Sequence, residues 1–255
     1  VTAPTLWRDL RQFTGARVAL GRVGAGLPTA AHLAFQADHA AARDAVHAAL
    51  DLELLQADLA AENLPATMVR SACPDRPTYL RRPDLGRKLH SPDRETLHPA
   101  PAKIAFVVCD GLSALAVQRH AAPLLALVVP ALEPGAKIVV ATQARVALGD
   151  DVGEALGASA VIVLIGERPG LSTPDSLGVY LTWAPHVGRT DADRNCLSNI
   201  RPEGMPIPEG ARKLIWLATE MRARKLSGVG LKDEAPMLAP KVDPLGLPDE
   251  QVRTS

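Results

Sequence analysis

Aromatic residues are scarce in this chain: three Phe, two Tyr and three Trp, or 3% of 255 residues. Hydrophobic residues nonetheless make up 47%. The core must therefore be built from Ala, Val, Leu and Ile, and the length suffices to bury one large domain or two modest ones. Charge of either sign in excess is also lacking, since Lys plus Arg and Asp plus Glu number 28 each. No surplus of positive charge is offered to a phosphate backbone, so a nucleic-acid partner is not expected. Cysteine is limited to Cys73, Cys109 and Cys196, odd in number and far apart. Neither a disulfide framework nor a CxxC-type zinc site follows. The longest apolar runs, such as Ala121 to Leu132, fall short of the roughly 20 residues that span a bilayer, and prolines interrupt them. The first residues carry charge and no apolar signal core. A soluble protein in a reducing, cytoplasmic setting, with no membrane partner, is the expectation.

Three regions differ in character. Residues 1–100 read as a helical N-terminal domain. Its clearest element runs from Ala30 to about Leu50, with Thr29 placed to cap it through its hydroxyl. More helix is expected over Leu52 to Leu59, after which Pro65, Pro74 and Pro77 interrupt regular structure. Residues 101–230 change style. Ile104–Cys109, Lys137–Ala141 and Ala160–Ile165 read as short buried strands, alternating with helices after Ser113 and over Val152–Leu156. Pro123 is expected to kink or split the first of these helices, leaving the run to Leu132 free for a further strand. Val179–Trp183 is a candidate strand and Glu209–Leu226 a closing helix. Buried strands alternating with helices predict an α/β fold, a Rossmann-like domain with a mainly parallel sheet. Residues 231–255, with prolines at 236, 240, 244 and 248, read as a flexible tail.

No Gly-x-Ser-x-Gly elbow, P-loop or HExxH occurs. Gly21-Arg-Val-Gly-Ala-Gly26 has the spacing G-x-x-G-x-G and lacks the acidic residue after a second strand that a dinucleotide fingerprint requires. Glycines that let the chain turn and pass close to another backbone are the better account. Asp110-Gly-Leu-Ser113 ends the first predicted strand. It reads equally as a crevice wall or as a strand-to-helix turn with Ser113 as cap. Glu167, in Gly166-Glu-Arg-Pro-Gly170, ends a later strand at the same edge and is a candidate ligand contact. Cys196 lies in the polar stretch Asp193–Ile200 and reads as a buried or ligand-contacting thiol, not a nucleophile. His32 and His39 share a helix face without a third metal-type ligand, so a structural or interfacial role is expected. These residues alone describe an α/β binding domain without a visible catalytic machine.

Six segments, taken in order, resemble the small subunit of ethanolamine ammonia-lyase. They are Phe13–Thr29, Phe35-Gln-Ala-Asp-His39 with Arg43-Asp44, Tyr79–Arg87, Asp110–Ser113, Gly166–Leu171 and Asp193–Ile200. The resemblance implies a hetero-oligomer with a large subunit whose barrel does radical chemistry on ethanolamine, giving acetaldehyde and ammonia. This chain would hold adenosylcobalamin at the subunit interface and be inactive alone, in the cytoplasm or in a bacterial microcompartment. By matching motif positions, the cofactor contacts implied are Val146, Glu167 and Cys196. No histidine here has Asp two before it and Gly three after it, so the resemblance implies no cobalt ligand from this chain. Two competing readings remain: a stand-alone nicotinamide-dependent oxidoreductase, and a purely architectural partner of the large subunit.

Overall fold

The computed structural model describes residues 9–14, 16–99 and 103–235. The expected proline-rich tail lies outside the described residues from position 236 onward. Six strands form one sheet: β1 (Ala66–Arg70), β2 (Ile104–Cys109), β3 (Lys137–Thr142), β4 (Ala160–Gly166), β5 (Leu177–Trp183) and β6 (Arg194–Ile200). Their order is β1-β3-β2-β4-β5-β6. The first four are parallel, with Val107 of β2 beside Val139 on one side and Val163 on the other. β5 and β6 complete the sheet in antiparallel sense. Every residue of β2 and β4 is buried. Strands covered on both faces must be apolar throughout, and these two are the runs most legible in the sequence.

Seven α-helices accompany the sheet among the described residues: α1 (Thr29–His47), α2 (Leu52–Ala61), α3 (Arg76–Arg81), α4 (Ser91–Thr96), α5 (Ala114–Leu132), α6 (Leu148–Leu156) and α7 (Ile207–Arg224). Alternate residues of β2 feed two cores, because successive side chains point to opposite faces. Ile104, Phe106 and Val108 meet α2, α5 and α7 on one side. Ala105, Val107 and Cys109 meet Leu148, Val152 and Leu156 of α6 on the other.

Several expectations are corrected. The region read as helical also supplies β1, an edge strand that starts directly after Pro65, where proline costs the ladder nothing. Thr29 is the first residue of α1 and makes no cap; the preceding Pro28 supplies the entry through its fixed φ. α5 runs unbroken through Pro123 and Pro130, with no strand before Leu132. Both prolines lie on its exposed side, where the carbonyls they release can turn to water. By length and composition α5 could cross a membrane. Here its apolar face is spent on the sheet and α7.

The connection β2–α5–β3 passes over one face and β3–α6–β4 over the other, with β3 and β4 on opposite sides of β2. The chain thus reverses its direction of winding at β2, which leaves a crevice beyond the carboxyl ends of the strands. α6 covers β2 and β4. Further out on the same face, Tyr180 of β5 remains half-buried and Cys196 of β6 exposed.

Candidate functional site

The crevice has a volume of about 1190 Å³. Its walls come from the turns that end β2 (Gly111, Leu112), β3 (Arg145 to Ala147) and β4 (Gly166 to Arg168), and from the segment around Arg87; Tyr180, Cys196 and Ser198 form its floor. The chain's only two tyrosines, Tyr79 and Tyr180, both line it.

Asp110 fixes the turn after β3. Its carboxylate accepts hydrogen bonds from the backbone amides of Gln143 and Ala144, both at 3.0 Å. Arg76 donates to the same carboxylate at 3.3 Å and to the Gly111 carbonyl at 2.8 Å. Burial pushes the Asp110 carboxyl above its ordinary range, against the pull of the two amides and of Arg76. The two readings of Asp110–Ser113 therefore both hold. Ser113 accepts from the Ala116 amide at 3.2 Å and so caps α5, while Gly111 and Leu112 face the crevice. Gly111 needs to be glycine: its φ is +58° and a Cβ would stand 2.2 Å from the Gly166 carbonyl oxygen.

Tyr79 carries the basic segment to the site. It is fully buried, donates to the Ala144 carbonyl at 3.1 Å, and has the guanidinium groups of Arg145 and Arg76 over its ring, 4.2 and 4.8 Å from the centroid. Two cation–π contacts help to orient it.

The three residues named from the sequence come together on this one crevice. Val146 sits half-buried in the turn before α6, packed at the margin of the apolar cluster. Glu167 is half-buried at the end of β4. Its carboxylate accepts hydrogen bonds from Ser176 and, at 2.5 Å, from Ser198, and one from the Asn199 amide at 3.1 Å. A carboxylate has about four acceptor positions, so this one keeps a single position for a ligand. Cys196 is exposed on β6, directly across from Tyr180 of β5. Desolvation pushes its thiol up, more than its hydrogen bond with Tyr180 pulls it down. A thiol held protonated is a poor nucleophile.

Sequence reasoning missed the group that holds the floor. Arg194 and Asp150 are both buried and paired through two hydrogen bonds of 2.7 Å. Arg194 also donates to Thr182 Oγ1 at 3.1 Å and to the Arg189 carbonyl at 3.0 Å. The pair ties α6 to β5 and β6. Burial pushes the Asp150 carboxyl up, against the opposing pull of Arg194. Tyr180 was missed as well, though with only two tyrosines in the chain its place inside the candidate strand Val179–Trp183 was a usable signal. The glycines 21 to 26 form an exposed turn closed by Val23 and Gly26 and do not line the crevice. His32 bonds Gln36 on α1 and His39 stacks near Phe35. No cluster of three metal-type ligands occurs among the described residues.

The fold and the crevice define an open-sheet α/β protein of the class whose ligands lie beyond the carboxyl ends of its strands. Residues 4–232 match the family described as ethanolamine ammonia-lyase light chain (EutC). The chain is 54% identical over 239 residues to the ethanolamine ammonia-lyase small subunit of Azotobacter vinelandii, covering 90% of this chain and 88% of that one. It is 53% identical over 254 residues to the small subunit of Bradyrhizobium diazoefficiens, covering 96% and 97%. With the small subunit of Ralstonia nicotianae it shares 53% over 244 residues, covering 91% and 90%. The chain belongs to the ethanolamine ammonia-lyase small-subunit family, as the six ordered segments had implied, and is a lyase subunit.

Proposed function

We propose that this chain holds adenosylcobalamin in the crevice, at its interface with a large catalytic subunit, and is inactive alone. The observation that carries the reading is the convergence of Val146, Glu167 and Cys196 on one open crevice at the winding reversal. Family resemblance pointed to these positions independently of the fold. The fit is reasonable on size and on chemistry. Small-molecule pockets usually run to roughly 300–1,000 Å³ and enclose their ligand. At about 1190 Å³ and open on one side, this crevice suits one face of a large, flat, amide-rich molecule better than a nicotinamide.

The residues divide the work. Val146 and Tyr180 offer apolar surface, and Glu167 offers its remaining acceptor position to an amide or hydroxyl. Ser176, Ser198 and the Asn199 amide keep that carboxylate from rotating. Cys196 gives a neutral, close-fitting floor. Adenosylcobalamin supplies the radical chemistry when bound, and the protein's share is placement and shielding from water. The core, with β1-β3-β2-β4 parallel and crossovers on both faces, supports the Rossmann-like description of residues 101–230 as the cofactor-contacting unit.

A partner is supported by the amino-terminal part, residues 1–100 in the domain division proposed here. Leu10, Phe13, Val23, Leu27, Leu33, Phe35 and Leu54 are all exposed, seven of the ten large exposed apolar side chains among the described residues. Of α1 only Ala45 is buried. Such a concentration favours a surface that is covered in the assembly. The assembly would sit in the cytoplasm, free or within a bacterial microcompartment. The test is ethanolamine deamination with adenosylcobalamin, using this chain alone and then mixed with a large subunit. Activity in the mixture only is the expected result. Turnover by this chain alone would overturn the division of labour.

A further inference from the structure

We infer that Arg87 and Lys88, with Arg168 at the end of β4, form an anion subsite for the phosphodiester of the ligand that the crevice takes; this rests on the cobalamin reading above. The chain as a whole is neutral, but the crevice is not: six cationic and four acidic side chains line it. The acids are spoken for. Asp150 is paired with Arg194, Asp84 with Arg82 from outside the crevice at 2.8 Å, and Glu167 with two serine hydroxyls and an amide. Asp191 lies 3.7 Å from Arg194 Nε.

Three of the cations are equally committed. Arg194 faces Asp150, Arg145 lies over Tyr79, and Arg189 donates to the carbonyls of Trp183 and Ala184 and to Asp193. Arg87, Lys88 and Arg168 are left, all exposed, with no side-chain hydrogen bond or ion pair among the described residues; Lys88 feels only the charge of Asp84, whose own hydrogen bonds go to Arg82. The backbone that bears the first two is fixed. Gly86 is buried so closely that a Cβ there would meet Arg145 at 2.9 Å and Tyr79 at 3.1 Å. On the other side the Leu89 amide donates to Asp151 at 3.0 Å.

Two adjacent cations on a braced segment, free of hydrogen bonds and ion pairs and facing a crevice, are placed to take an anion. A singly charged phosphodiester suits them, because its two free oxygens can take donors from different side chains. Cobalamins carry such a group in the nucleotide loop, and cobinamide, which keeps the corrin, does not.

The experiment uses the complex of this chain with a large subunit, its assembly checked by size exclusion. Cyanocobalamin and dicyanocobinamide are titrated in low salt and followed by absorbance. The double substitution Arg87→Gln, Lys88→Gln is expected to weaken cyanocobalamin by about ten-fold or more, as for loss of charge-assisted hydrogen bonds, with cobinamide changed less than about two-fold. Lys225→Gln, beyond α7 on the other face of the sheet, should change neither. Equal weakening of both corrinoids, or loss of assembly, would mean that the cations serve the partner or the fold and would overturn the subsite. So would no change in either. A wild-type complex that failed to bind cyanocobalamin at all would instead remove the cofactor reading, and the subsite with it.

Discussion

Arg194 shows how much one side chain holds in place. Its guanidinium meets Asp150 through both Nη atoms, and neither group reaches solvent. Removing one partner of a buried pair leaves the other charge uncompensated, which costs about 3–5 kcal/mol. Arg194→Ala should therefore lower the urea midpoint of unfolding by that equivalent, and Asp150→Ala by a similar amount; a change under about 1 kcal/mol would contradict the pair's role. Asp175 gives a pH dependence of known sign. Burial raises its pKa, but hydrogen bonding and charge from Arg119 and His120 outweigh this and leave it below the ordinary 3.8. A carboxylate with a depressed folded value adds stability above its unfolded value and loses it as pH falls through the folded one. Wild type should thus lose stability below about pH 4 more steeply than Asp175→Asn, read from urea midpoints across the acid range. Parallel acid limbs would contradict it. Of these residues the sequence displayed only the type. Arg194 sat inside a quoted motif, but its partner lies 44 positions away, and no local pattern joins β6 to α6.

At the scale of elements, close approach does what bulky side chains do elsewhere in a chain so poor in aromatics. α6 lies so near β4 that a Cβ on Gly149 would stand 2.2 Å from a Val163 methyl. Gly149→Ala should destabilise by about 1–3 kcal/mol through overpacking. Val163→Ala, which alone leaves a cavity, should recover part of that loss in the double variant, a coupling that a thermodynamic cycle would measure. Additive losses would place the clash elsewhere. Legibility followed burial in the same way. β2, β3 and β4 were plain as apolar runs because they are covered on both faces. β1 was hidden between prolines because an edge strand tolerates them. β6, Arg-Asn-Cys-Leu-Ser-Asn-Ile, was hidden because one of its faces looks into the crevice and is polar for that reason. Pro123 misled in the opposite direction, since a helix interrupted only on its exposed side is held together by the packing of the other.

For the whole molecule, the three positions that the resemblance implied are gathered by the fold rather than by any pattern in the chain. Val146, Glu167 and Cys196 lie 50 residues apart from first to last and share no periodicity, yet the winding reversal at β2 and the antiparallel turn from β5 to β6 bring them to one crevice. What could not be read was the means of support: the Asp110 and Arg194 networks and the contacts of Tyr79 with Ala144 and Arg145, all of them between distant segments.

Whether this crevice holds the cofactor is tested most directly by the adenosylcobalamin affinity of the assembled complex with the crevice floor filled. Cys196 is exposed on β6, so Cys196→Tyr can project its ring into the cavity without entering the core. If the crevice holds the cofactor, the complex stays intact and unchanged in size while its adenosylcobalamin affinity falls by about 100-fold or more, as when a bulky group occupies a ligand's place at a cost of roughly 3 kcal/mol. Unchanged affinity in an intact complex would contradict it and return this chain to a purely architectural role.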